Sequence, residues 1–273
     1  RYAVEALVCW NGSVGFYDLA PEIRRDFPRL RILNQLYNHE GGWIERYGPR
    51  LAAAVDLHLA VNGRIAAALV EDRGVAAERV AVVHHGVRVP PEPSPAERAA
   101  RRRRSREHLG LPADAVVAGT FVRLHPQKRP LDVVRLARRT AHLPIHYLLA
   151  GGGPAADDVA REIAREPLPN LTRLPMQDDV EPLYDAADLC LSTSSYEGLP
   201  VFLLDGLARG LPCVATAVGE LATHLEASAP IVLLRAWALA VPALLAWDRR
   251  ALFGRSAEGA EALADEPRYR GFW

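Results

Sequence analysis

Short apolar runs alternate with helical runs along most of this chain, and that rhythm limits the fold more than any other feature. It is the pattern of parallel sheets whose crossovers are helices, so the expected class is α/β with Rossmann-like units. Up to Val87 the strand-like runs are "VEALVCW" (from Val4), "LRILNQLY", "LHLAV" and "RVAVVHHGV". Between them lie the helical "DLAPEIRRDF", a helix near "WIERYGPRLAAAV", and "NGRIAAALVEDRG", which Gly74 is placed to stop.

The rhythm breaks at "PPEPSPAERAARRRRSREHLGLP", with four prolines before Ala96 and six arginines between Arg98 and Arg106. The proline part excludes regular structure. The expected organisation is a first lobe over residues 1–90, a linker and basic helix start over 91–108, and a second lobe over 109–273. A length of 273 residues fits two domains. The arginine run could suit nucleic acid or an anionic membrane, but no aromatic residues interleave with it, and a solvated helix is the preferred reading. Lysine plus arginine equals aspartate plus glutamate at 33 each, which argues against a dedicated nucleic-acid binder.

Three cysteines, Cys9, Cys190 and Cys213, make neither a disulfide framework nor a zinc site, and they suit a reducing compartment. The sequons at Asn11 and Asn170 then read as chance matches. The greasiest window, Ile231 to Trp247, contains Arg235 and Pro242 and reads as a strand and helix rather than a membrane span. The only methionine is Met176 and the chain opens inside a strand-like run, so the first lobe is expected to be incomplete.

After the linker the expected strands are Val116–Val122, Ile145–Ala150, Leu171–Leu174, Leu189–Ser192 and Cys213–Thr216. The helices between them are Pro130–Thr140, Ala155–Glu166, Val180–Ala187 and Pro200–Arg209. Ligands of such folds lie outside the carboxyl ends of the strands. In "GTFVRLHPQKRP", Gly119 lies in a strand while Arg123 and Lys128 follow its end, a fork of donors and a mobile point charge suited to a diphosphate. Two solvated cations would give the same spacing. In "HYLLAGGGP", three glycines after a strand permit close backbone approach to a ligand, or a tight turn. Neither a dinucleotide fingerprint nor a P-loop is present.

"SSYEGLPVFLLDGLARGLPCVATAVG" is more specific. Pro200 suits a first helical turn and Gly210 a helix stop, so Glu197 and Gly198 stand beside unpaired helix N–H groups, where anions are favoured. Asp205 falls inside the helix on an apolar face, where a carboxylate needs a partner. Arg209 at i+4 or the hydroxyls of a ribose could each supply one.

Glu197 through Ala208, "EGLPVFLLDGLA", resembles the signature of retaining family-four glycosyltransferases, E-G-L-P-x-x-L-L-E-A-M-A. "GTFVRLHPQKRPLDVVRLA" looks like that family's R-L-x-x-x-K segment, and "VAVVHHGVRVP" like its inter-domain I-x-N-G-V-D phrase. The resemblance implies a GT-B fold, with a partial acceptor-side lobe followed by a lobe that binds the nucleotide sugar. It implies a retaining transferase of the hexosyltransferase type, moving sugar from a UDP-, GDP- or ADP-linked donor to an acceptor hydroxyl on a glycan, lipid or small molecule, in polysaccharide or glycolipid assembly. By position, Arg123 and Lys128 would hold the diphosphate, and Glu197 the donor sugar with the N–H groups of Gly198 and Leu199. Asp205 would hold the ribose, Pro175 and Met176 would lie against the base, and His39 would approach the sugar from the first lobe. No cofactor, metal or nucleic acid is implied. A cytoplasmic location is, at the inner membrane face where the protein associates peripherally. The chain departs from the signature at Asp205, which replaces glutamate, at His85, which replaces asparagine, and at Glu220 and Thr223. Two other readings share this fold: a binding subunit that has lost catalysis, and a sugar-nucleotide 2-epimerase, which the E-G-L-P phrase disfavours.

Overall fold

The structure is a computed structural model describing residues 4–10, 14–37, 47–218 and 231–234. The chain divides into two compact units. The first contains the described residues up to Gly86 together with Tyr196–Pro200; the second contains Val87–Ser195 and the described residues from Val201 onward. The boundary thus falls at Gly86, slightly ahead of the proline-rich stretch, and one five-residue turn from the second half of the sequence groups with the first unit.

In the first unit, β1 (Ala6–Trp10), β2 (Arg31–Leu36), β3 (Leu57–Ala60) and β4 (Val80–Val82) form a parallel sheet in that order. The helices between them are α1 (Val14–Asp26), α2 (Pro49–Ala54) and α3 (Gly63–Glu71). Alternate residues of β2, Ile32, Asn34 and Leu36, are buried, as the two-residue repeat of a strand requires. Ile32 and Leu36 pack with Ala60, Val61, Ile65 and Leu69. Register places Asn34 beside His58, and both are fully buried. The Tyr47 hydroxyl is hydrogen-bonded to His58 Nδ1. Burial, and then the nearby Arg79 charge, push the His58 pKa down to about 4.

The second unit opens with α4 (Pro95–Leu109). Ser94 and Glu97 form a capping box, Pro95 occupies the first turn, and Gly110 closes the helix at φ 65°. The solvated-helix reading of this segment holds only in part. Arg101, Arg103 and Arg104 are exposed, but Arg106 is 3% exposed. Its guanidinium donates to Asp188 Oδ2 at 2.6 Å and to the carbonyls of Ala186 at 3.0 Å, Ala113 at 2.8 Å and Ala115 at 2.9 Å. Arg102 reaches the other Asp188 oxygen at 2.8 Å. Two of the six arginines, Arg102 and Arg106, are therefore the anchor that binds α4 to the unit, because Asp188 stands buried at the start of a strand and needs cationic partners.

The six-stranded sheet is parallel throughout, in the order β10-β9-β8-β5-β6-β7. Its strands are β5 (Val116–Phe121), β6 (Ile145–Ala150), β7 (Leu171–Leu174), β8 (Leu189–Ser192), β9 (Cys213–Thr216) and β10 (Ile231–Leu234). The helices are α5 (Pro130–Arg139), α6 (Ala156–Arg165), α7 (Glu181–Ala186) and α8 (Val201–Ala208). Strand β6 is buried along its whole length, as expected of a parallel strand covered on both faces. Tyr147 and Leu149 pack with Val133 and Val159 on one side, and Leu148 with Leu111 and Leu183 on the other. All three cysteines are free, and Asn170 is buried with its amide bonded to Ala137 O, so that sequon is not an accessible surface site. Among the described residues no helix is long and apolar enough to cross a membrane. Beyond Leu234 the greasy window lies outside the described residues.

Candidate functional site

Chain order reverses once in the second sheet. From β5 the strands proceed to β6 and β7 on one side, then return to β8 on the other. The carboxyl ends of β5 and β8 are therefore the topological switch point, where an open α/β sheet leaves a crevice for ligand. Arg123 and Lys128 stand on the segment that leaves β5 there: Arg123 is exposed, and Lys128 closes a short 3-10 helix (Pro126–Lys128). The segment leaving β8 is sewn to it. Thr193 Oγ1 donates to Lys128 O at 2.7 Å and to Arg129 O at 3.1 Å, and Ser195 N donates to Gln127 O at 2.8 Å. The Lys128 backbone is thus fixed by the neighbouring strand.

Electrostatics agree with this placement. Partial burial, and then the charges of Arg123 and Lys128, pull the His125 pKa below its usual value. His125 Nδ1 accepts from Gln127 N at 3.2 Å, as a neutral imidazole can. Arg129, at φ 49° and ψ 50°, is the one non-glycine residue with positive φ among the described residues. A left-handed arginine costs about 1 kcal/mol. Here it turns the chain from the Lys128 helix directly into α5, and its side chain meets Asp132 at 2.7 Å. Sequence reasoning passed over Thr193, Ser195 and Arg129; hydroxyl residues just past a strand end were the available signal for the first two.

The three glycines after β6 have different tasks. A Cβ on Gly151 would stand 1.9 Å from Val122 O, and one on Gly153 would stand 2.6 Å from Leu124 O. These two let the segment carrying Arg123 lie against the loop, where Leu124 N donates to Gly152 O at 2.8 Å. Gly152 is open, with Met176 Cβ 3.8 Å from its virtual Cβ. Met176, 66% exposed after β7, therefore borders the same end of the sheet as Arg123. Gly119 does not: it lies within β5, paired to Leu148 and Cys190, with the Phe121 ring over its Cα.

Glu197, Gly198 and Leu199 belong to the turn that groups with the first unit. Glu197 is buried and Leu199 half-buried. Asn62 is fully buried and uses both ends of its amide: Oδ1 caps α3 at Ile65 N, and Nδ2 donates to Gly198 O, each at 2.8 Å. A Cβ on Gly198 would fall 1.8 Å from Tyr37 O, so only glycine fits. His39 lies outside the described residues.

The buried-face reading of Asp205 is corrected. Its side chain is 30% exposed, and its Oδ1 accepts from Arg209 Nη1 at 3.4 Å. Arg209 in turn is bound to Glu181 of α7 and lies over the Tyr184 ring. The ion-pair partner exists because i+4 spacing brings the two side chains to one helix face. Among the described residues no group of three His, Cys, Asp or Glu side chains could hold a metal ion.

Two parallel α/β sheets, one with a cationic, glycine-backed switch point, define a Rossmann-type fold of the GT-B glycosyltransferase kind. Residues 115–246, just under half of the chain, match the family Glycosyl transferases group 1. The D-inositol 3-phosphate glycosyltransferase of Mycobacterium bovis is 34% identical over 152 residues, covering 52% of this chain and 30% of that protein. The chain thus matches about a third of that relative's length. Among solved structures, Anabaena Alr3699/HepE in complex with UDP and glucose superposes with a TM-score of 0.69 at 19% identity, over 84% of this chain and 64% of that one. Sucrose-phosphate synthase from Thermosynechococcus elongatus gives 0.63 at 20% identity, over 89% and 64%.

Proposed function

We propose that the protein transfers a sugar from a nucleoside-diphosphate donor to an acceptor hydroxyl with retention of anomeric configuration, in polysaccharide or glycolipid assembly. The observation that carries this reading is the pair Arg123 and Lys128 at the β5–β8 switch point, with the backbone around Lys128 held by Thr193 and Ser195. The bond from the anomeric carbon to the diphosphate breaks and a bond to the acceptor oxygen forms, while the acceptor gives up its proton. Negative charge grows on the departing diphosphate, and two cations placed at the strand end stabilise it. In this reading Glu197 contacts the donor sugar, with the Gly198 and Leu199 amides beside it; Asp205 holds the ribose, and Met176 lies against the base. HepE, solved with UDP and glucose, supports a nucleotide-sugar donor. No metal or cofactor takes part. A cytoplasmic location, at the inner membrane face where the acceptor is lipid-linked, goes with it.

Asp205, standing where the signature has glutamate, favours a second reading, a binding subunit without catalysis. A thermal-shift panel of UDP-, GDP- and ADP-sugars, followed by assays of donor hydrolysis and transfer, separates the two. Binding with turnover is expected, with Glu197→Ala abolishing transfer and Lys128→Ala weakening the donor about tenfold or more, the worth of a charge-assisted contact. Binding without turnover would leave the second reading, and no stabilisation by any donor would refute both.

A further inference from the structure

We propose that Arg209 is a positioning residue that fixes the carboxylate of Asp205 for the hydroxyls of a nucleotide ribose; the proposal rests on the ribose role given to Asp205 above. Arg209 follows the last residue of α8 and is only 15% exposed along its side chain. Each guanidinium nitrogen has a partner. Nε donates to Glu181 Oε2 at 3.3 Å and Nη2 to Glu181 Oε1, a two-point fork onto α7. Nη1 donates to Asp205 O at 2.9 Å and to Asp205 Oδ1 at 3.4 Å. The guanidinium carbon lies 4.6 Å from the centroid of Tyr184, whose hydroxyl donates to Phe202 O at 3.1 Å. The cation is thus held from α7 by a carboxylate and an aromatic face, while it touches one oxygen of Asp205.

The consequence for Asp205 is geometric. Its Oδ1 faces a cation tethered to α7, which favours one rotamer, and Oδ2 has no hydrogen-bond partner among the described residues. A carboxylate held in one orientation gives up less freedom when it accepts hydroxyl hydrogen bonds. An arginine that only closed the helix end would need the Asp205 carbonyl alone; the added contact to the side chain, and the fork from Glu181, are what make Asp205 stationary.

The test is calorimetric titration of the full chain with UDP, GDP and ADP, each beside its 2′,3′-dideoxy form. The unmodified protein is expected to bind its preferred ribonucleotide on the order of tenfold more tightly than the dideoxy form. In Arg209→Gln that ratio should fall below about threefold while dideoxy affinity stays unchanged; a helix-end role alone would move both forms together. Glu181→Gln, which leaves Arg209 in place but loosens it, should give an intermediate ratio and guards against a folding defect in the first variant. A ratio retained in Arg209→Gln, equal losses for both forms, or a sharper ratio showing that Arg209 competes for Asp205, would each overturn the proposal alone. An unmodified protein that binds nucleotide without ribose preference would overturn the Asp205 assignment, and one that binds no nucleotide would overturn the functional reading itself.

Discussion

Replacing Asp188 with alanine removes one small side chain and strands three donors. Asp188 is 5% exposed and accepts from Arg106 at 2.6 Å, Arg102 at 2.8 Å and Val117 N at 2.8 Å. Removing one member of a buried pair costs about 3–5 kcal/mol, because the remaining charge is left without compensation. The Val117 amide, inside the sheet, loses its acceptor at a further ~1 kcal/mol or more. Arg106 keeps its carbonyl acceptors and Arg102 is partly exposed, which relieves some of this, so a net loss of about 4 kcal/mol is expected. For a chain of this size that lowers Tm by roughly 8–16 °C. Thermal melts followed by circular dichroism would read it, with Arg103→Ala as the internal control. Arg103 is exposed on the same helix, and its removal should stay within about 0.5 kcal/mol of the parent. An Asp188→Leu/Arg106→Met double variant should recover only part of the loss, because the Ala186, Ala113 and Ala115 carbonyls lose their donor as well. If Asp188→Ala melts within about 2 °C of the parent, the account of α4 as an ion-paired anchor is wrong.

The glycines after β6 should separate by position. Gly151→Ala meets Val122 O at 1.9 Å with φ at 148° and should cost about 1–3 kcal/mol while weakening nucleotide binding, whereas Gly152→Ala should be neutral on both counts in the same melts and titrations. His58 makes the first unit acid-sensitive. Its folded pKa of about 4 lies below the ordinary value of 6.5, so the unfolded chain takes up the proton first as pH falls. The stability of neutral His58 is present above about pH 6.5 and lost towards pH 4, by up to about 3 kcal/mol. A His58→Gln variant should flatten that part of a Tm-against-pH curve, and an unchanged slope would show that another group titrates. In the first unit Asn62→Ser keeps a cap for α3 but loses the donor to Gly198 O. It should lower kcat for transfer several-fold, with Tm within a few degrees of the parent.

Strand and helix positions were legible without coordinates. The expected Ile145–Ala150, Leu171–Leu174, Leu189–Ser192 and Cys213–Thr216 coincide with β6 to β9, and the run from Val116 ends one residue early, at Phe121. Apolar runs of that length, bounded by Gly, Pro and Asp, have few other ways to bury themselves. Arg123 and Lys128 were legible as cations past a strand end, since alternating strands and helices already imply which end carries ligands. Three matters were decided only by the tertiary structure, each because it depends on residues far apart in the chain. The order β10-β9-β8-β5-β6-β7 makes the end of β5 a switch point, and local propensity says nothing about which strands become neighbours. Within "RRRR" and the residues around it, Arg102 and Arg106 turn inward and Arg103 outward because Asp188 lies more than eighty positions away on one side of α4. Asp205 fits an apolar helix face by local pattern, yet Glu181 and Tyr184 bring Arg209 to it and leave it partly in water. A local pattern specifies which elements form and which face is greasy; the partners of a charge are set by packing between elements, where the cost of leaving it unpaired is decided.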